Sequence, residues 1–181
     1  IAEFINNQRR SMKEAQLLTT IMTDKGYRVQ LDSVEAPRFE VATEGYPTKG
    51  SADAKVTLIE FADYQCPHCK KASKIVKDLL KRYEGDLKVV YRDFPINPSG
   101  ISRKVSEAAV CAQEQGKFWP FHDLAFERQS YLKAIKPDLL AKQVGLDMDQ
   151  FNACYAGDDN TAKVAASSHE AEELGLTGTP S

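Results

Sequence analysis

Apolar positions fall into three regimes along the chain. Over residues 3–25, Phe4, Ile5, Met12, Ala15, Leu18 and Met22 fall mostly on one helical face. That spacing predicts an amphipathic helix with Gly26 as its stop, an arm ahead of the main body. A polar stretch containing Pro37, Gly45, Pro47 and Gly50 follows and reads as a linker. Then come two short apolar runs, Val56-Thr57-Leu58-Ile59-Glu60-Phe61 and Leu87-Lys88-Val89-Val90-Tyr91-Arg92-Asp93-Phe94. They predict strands over about 55–62 and 87–94. Lys70 to Tyr83 keeps helical period, so a helix over about 66–84 is expected between them, closed by a Gly85-Asp86 turn. Strand, helix and strand in that order imply a right-handed crossover and a parallel pair. From Ser102 to Leu174 the pattern is helical, punctuated by Gly116, Pro120, Pro137, Gly145 and Gly157. A long helical insertion therefore interrupts an α/β fold.

Composition narrows the class. The 181 residues are 42% hydrophobic and 28% charged with net charge −2, which suits one soluble domain plus an arm. Nothing in that balance marks a nucleic-acid or membrane surface, and no apolar run is long enough to span a bilayer. The chain opens at Ile1 without an apolar signal core, so a trimmed product is expected, with any signal peptide removed. Four cysteines, two of them widely spaced, lean toward an oxidising compartment.

The chemistry concentrates in Cys66-Pro67-His68-Cys69, at the expected strand-to-helix junction. Cys66 falls at the helix N-cap, and Pro67 suits the first turn, where a missing N–H costs nothing. Free amides and the helix dipole favour a thiolate at Cys66, and Cys69 one turn on can resolve a mixed disulfide. A structural disulfide or half a zinc site would use the same residues. Zinc, however, commonly takes two close Cys/His pairs, whereas Cys111 and Cys154 are single and His122 and His169 isolated. No metal and no cofactor is expected. Cys111 and Cys154 admit two readings: free thiols packed in the core, or a disulfide tying the helical region together. The disulfide is favoured, and a loop of this length corresponds to about 4 kcal/mol in the chain-entropy model. Glu60 also has two readings, a carboxylate at a solvated strand end or a buried proton acceptor near Cys69 with its pKa raised by desolvation. His122, beside Trp119 and Phe121, reads as a packed core histidine.

From about Lys49 to the last residue, the sequence resembles the DsbA-like branch of the thioredoxin superfamily. The resemblance rests on several motifs in combination. They are the Pro-His dipeptide inside Cys66-Pro67-His68-Cys69, the strand Val56 to Tyr64, Tyr91-Arg92-Asp93-Phe94-Pro95, Gly116-Lys117-Phe118-Trp119 with Phe121-His122, and Gly175-Leu176-Thr177-Gly178-Thr179-Pro180. It implies a thioredoxin-like domain over 49–181 with a helical insertion at about 100–174, preceded by a helix and linker over 1–48. It implies that Cys66 is the exposed nucleophile, Cys69 the buried resolving thiol, Pro67 and His68 tuners of the pair, and Glu60 the family's buried acid. Pro180 would be cis and face the cysteines, with the Thr179 backbone pairing with a substrate strand. The strand pair and helix that normally follow this proline are not in the sequence after Ser181; either the sequence is a piece of a longer chain or another chain completes the fold, and in the second case the open sheet edge would suit a strand-completing homodimer. The implied activity is thiol–disulfide oxidoreduction on secreted proteins or peptides with cysteine thiols, with a membrane partner for reoxidation and a periplasmic or other extracytoplasmic location. An isomerase or reductase is the alternative within that class, and a non-catalytic interaction module the alternative outside it.

Overall fold

The computed structural model describes residues 38–181 together with Met12, Lys13, Gln16, Leu17, Thr19 and Thr20. Those last six are helical; the rest of the expected 3–25 helix lies outside the described residues. The chain divides into two compact units, Ile1–Arg38 and Phe39–Ser181. The second unit thus begins earlier than the expected Lys49.

The segment before Lys49 folds with the second unit because Arg92 holds it there. Arg92 is fully buried. Its Nη1 donates to the Ala42 carbonyl at 2.6 Å, its Nη2 to Glu170 Oε2 and its Nε to Ser167 Oγ. The guanidinium lies 3.7 Å from the Tyr46 ring centroid. Glu170 completes the clamp by accepting from the Ala42 amide at 2.8 Å. A guanidinium out of water is tolerable only when it is paired and hydrogen-bonded, as it is here through each of its three nitrogens.

The sheet has three strands in the order β1 (Thr48–Gly50), β3 (Leu87–Asp93), β2 (Val56–Ala62). β1 runs antiparallel to β3, and Gly50, at φ +113°, permits the approach; a Cβ there would sit 2.3 Å from the Leu87 carbonyl. β2 and β3 are parallel, in register from Val56↔Leu87 to Ala62↔Asp93, with helix α1 (Pro67–Arg82) as the crossover. On the free side of β2, Ser181 exchanges both backbone hydrogen bonds with Phe61. The helical insertion follows β3: α2 (Ile101–Glu114), α3 (Phe118–Glu127), a 3₁₀ turn (Gln129–Tyr131), α4 (Pro137–Gln143), α5 (Met148–Tyr155) and α6 (Asp159–Glu173). The expected α/β fold with a helical insertion is therefore present.

Alternation along the strands sorts the core. Ala62 and Tyr91 join Val105, Ala108 and Ala109 of α2 and Phe118 and Phe121 of α3 in the main cluster, which includes Cys69. Phe61, on the other face, packs with Phe94 and Ala171. No helix among the described residues is long and apolar enough to cross a membrane.

Cys111 and Cys154, 43 positions apart in sequence, form a disulfide joining α2 to α5. Replacing both with alanine is expected to destabilise the protein by about 2–4 kcal/mol, because the unfolded chain regains the freedom that the closed loop removes. Urea unfolding of the double variant beside the parent, without reductant, checks this; coincident curves would refute it.

Candidate active site

β2 ends in the loop Asp63-Tyr64-Gln65, which delivers the chain to α1. Asp63 folds that loop. It is almost fully buried; its Oδ1 accepts from the Gln65 amide at 2.6 Å and from Ser102 Oγ, and its Oδ2 accepts from the Asn97 amide at 2.9 Å. Gln129, from the 3₁₀ turn, donates through Nε2 to the carbonyls of both Tyr64 and Cys66 at 2.9 Å. The loop is thereby fixed before the first turn of the helix begins.

Cys66 is the N-cap of α1, in extended conformation at φ −74°, ψ 119°, and Pro67 occupies the first turn. Cys66 is half-buried and donates from Sγ to the Thr179 carbonyl at 3.2 Å. Cys69, one turn on, is fully buried, and the Asp63 amide donates to its sulfur at 3.5 Å. Neither is disulfide-bonded in this structure. Thr179–Pro180 is a cis peptide bond, and its loop faces the cysteines.

The two thiols are placed in opposite electrostatic situations. Burial pushes Cys66 up, but the Thr179 side chain, the Cys69 amide and thiol and the His68 amide outweigh it, so its pKa lies below the usual thiol value. These amides are the unpaired donors of a helix N-terminus, which hold negative charge well. His68 acts here through its backbone, its side chain being exposed. Cys69 is pushed up to about 12, chiefly by burial, against which the Asp63 amide works only in part. The Thr179 hydroxyl is buried without a hydrogen-bond partner among the described residues. In the dithiol it lacks an acceptor, and ionisation of either sulfur supplies one.

Glu60 is buried, 5% exposed, and does not lie at a solvated strand end. It shares a sheet face with Ala62, in the cluster that contains Cys69. Burial raises its pKa to about 7, and Oε1 has no partner among the described residues. A carboxyl whose pKa lies near neutrality has the acidity that proton transfer at neutral pH calls for. His122 is buried among Tyr91, Phe118, Trp119 and Phe126. Burial, helped by Lys77 and Lys49, lowers its pKa to about 3, so it packs as a neutral ring. Among the described residues no cluster of His, Cys, Asp or Glu could hold a metal ion.

The structure thus brings Cys66, Pro67, His68, Cys69, Thr179 and Pro180 together, puts Glu60 on the sheet face whose apolar cluster includes Cys69, and puts the Cys111–Cys154 bond elsewhere, in the insertion. Sequence reasoning missed Asp63, Gln65, Ser102 and Gln129. Asp63 two residues before Gln65 carries a turn signature that could have been read. Gln129 carries no local signal.

A dithiol at a helix N-terminus, split into one accessible and one buried sulfur and faced by a cis-proline loop, defines a thioredoxin-type redox protein. The thioredoxin family model matches residues 42–181. The chain belongs to the thioredoxin family. It is similar to a thioredoxin-like oxidoreductase from Silicibacter pomeroyi DSS-3, with 31% identity and TM-score 0.64 over 76% of this chain and 78% of that one. It is also similar to the thiol-disulfide exchange protein alpha-DsbA2 from Wolbachia pipientis, with 27% identity and TM-score 0.63 over 76% and 74%. Among curated proteins it matches the Na(+)/H(+) antiporter NhaA 3 of Salinispora tropica, at 32% identity over 73% of this chain and 20% of that protein. The chain therefore spans about a fifth of the length of the curated relatives it matches.

Proposed function

We propose that Cys66 and Cys69 catalyse disulfide formation or exchange in exported proteins and peptides. The observation that carries this is the split between the sulfurs: a half-buried Cys66 held below the usual thiol pKa and a buried Cys69 pushed up to about 12. In the oxidised protein a substrate thiolate attacks Cys66 Sγ. The substrate-to-Cys66 bond forms, the Cys66–Cys69 bond breaks, and its electron pair goes to Cys69, which takes a proton from Glu60. A second substrate thiolate attacks the substrate sulfur of the mixed disulfide, and Cys66 leaves as a thiolate. The substrate loses two electrons and the protein gains them. Stabilising the departing Cys66 thiolate makes the disulfide a stronger oxidant, which favours oxidation over reduction of substrates. The Thr179–Pro180 loop, whose carbonyl already meets Cys66 Sγ, is the docking strip for a substrate backbone, and an oxidising partner in the membrane would restore the disulfide. The Cys111–Cys154 bond supports an extracytoplasmic site, since such bonds persist where the medium is oxidising.

Equilibration with glutathione buffers, with the two redox forms separated by thiol alkylation and mass, tests this reading. A potential at or above that of the glutathione pool is expected. A far lower value would make the protein a reductase, and failure to exchange would favour the interaction-module reading.

A further inference from the structure

The sheet face behind Cys69 carries a second buried carboxyl that the exchange chemistry leaves unused. In the β2–β3 register Glu60 pairs with Tyr91 and Ala62 with Asp93. Side chains alternate along each strand, so Tyr91 and Asp93 share one face, as do Glu60 and Ala62, and Tyr91 and Ala62 meet in the same cluster. Neighbouring strands lie about 4.8 Å apart, and alternate residues on a strand about 7 Å. Glu60, Tyr91 and Asp93 therefore form a continuous polar row across an otherwise apolar face, and none is more than 6% exposed.

Glu60 Oε1, Tyr91 OH, Asp93 Oδ1 and Ser106 Oγ of α2 have no hydrogen-bond partner among the described residues. Orphaned singly, each would cost about 1–3 kcal/mol; clustered, they can satisfy one another through shared protons and internal water. At the far end of the row, Asp93 lines a cavity of about 210 Å³ with Glu44, Tyr46, Pro47, Gln113 and Lys163. None of the residues described around Cys66 lines that cavity.

We propose that Tyr91 and Asp93 extend a proton route from Glu60 to this cavity, so that the proton exchanged at Cys69 crosses the protein away from the face where substrate meets Cys66. This rests on the redox reading above. When Cys69 gives up its proton and attacks the mixed disulfide at Cys66, Glu60 accepts that proton. Tyr91 takes a proton from Glu60 and passes its own to Asp93, which releases it at the cavity. Each group ends as it began, and no electrons move along the row.

The surrounding charges suit this transfer. Burial sets Asp93 at about 7, with the Ser106 hydroxyl and Arg92 pulling down and Asp63 pushing up. Burial alone brings Glu60 to about the same value, so the proton passes between matched sites. Burial keeps Tyr91 well above its ordinary pKa, reinforced by Tyr64, Asp93 and Glu60. It therefore acts by accepting one proton while giving another, without ionising. From α3, His122 faces the row as a neutral ring. Lys163 of α6 and Glu44 bring charge only at the cavity.

The test follows closure of the Cys66–Cys69 disulfide in the full chain, by stopped flow with oxidised glutathione as oxidant, from pH 6 to 8. Tyr91→Phe and Asp93→Asn are each expected to slow closure about a hundredfold near pH 7, at the lower end of the range of assisted proton transfer, with the reduction potential against glutathione unchanged. Two variants are used so that a folding defect in one leaves the other decisive. Wild-type closure rates in both across the pH range would overturn the route while leaving the redox reading intact. Slowing accompanied by a matching change in potential would also overturn it, since that is the mark of a rearranged site. A wild-type protein that never closes the disulfide would overturn the redox reading, and the route with it.

Discussion

With Cys69 replaced by alanine, the protein is expected to accumulate as a stable mixed disulfide through Cys66. Oxidised glutathione offered to this variant is attacked by the Cys66 thiolate, which its low pKa keeps populated. The adduct then has no second thiol to release it. Turnover of glutathione-coupled exchange should fall by about four orders of magnitude, the lower scale of losing a member of a catalytic unit. The reciprocal variant, Cys66→Ala, should form no adduct, because the remaining sulfur is buried and resists ionisation up to about 12. Intact mass under non-reducing conditions distinguishes the two. Equal labelling of both variants would show that the thiols are equivalent and would defeat the role assignment.

The second large effect concerns pH. Stability is expected to fall as pH rises from about 4 to about 7. Glu60 and Asp93 each have a folded-state pKa of about 7, raised by burial from ordinary values of 4.5 and 3.8. Between those limits the folded protein keeps protons that the unfolded chain has lost, so raising the pH favours unfolding. A change of one pKa unit is worth about 1.4 kcal/mol, so Glu60 is worth on the order of 3 kcal/mol and Asp93 on the order of 4 kcal/mol. Glu170 acts oppositely. Burial pushes it up, but Arg92 outweighs this and holds it below its ordinary value, so its contribution is lost only on acidification. Urea midpoints at pH 5 and pH 8, at one ionic strength, should therefore be higher at pH 5. Asp93→Asn should flatten the profile by removing one of the two titrations. A parent midpoint that rises from pH 5 to 8 would contradict the burial of both carboxyls.

The elements legible in the sequence were those whose burial is one-sided and periodic. The strands expected over 55–62 and 87–94 appear as Val56–Ala62 and Leu87–Asp93, and the helix over 66–84 as Pro67–Arg82. Their apolar periods and the turn at Gly85-Asp86 are local signals. β1 escaped notice because three exposed residues, Thr48-Lys49-Gly50, show no period. The boundary after Arg38 escaped because Arg92 looks like a surface residue in a one-dimensional pattern. Only the fold shows that Ala42, Ser167 and Glu170 converge on it. Within the site, the cysteine motif and the Thr179–Pro180 loop were visible as residue types. Their 3.2 Å contact across 113 positions was not, because contact between distant segments belongs to the tertiary fold. Glu60 was noticed as a polar residue in an apolar run, but Asp93 was not, because it stands at the end of a strand where acidic residues are ordinary.

Gln129 has a mechanical consequence. The Tyr64–Cys66 segment is anchored covalently to β2 at one end and to α1 at the other, and Gln129 grips two of its carbonyls between. It behaves as a beam supported at three points, with little freedom to rock. The travel that Cys66 Sγ makes between one disulfide partner and the next must then come from rotation about its own side-chain bond. Such rotations run on picosecond to nanosecond scales, so electron-pair transfer does not wait for a loop to open.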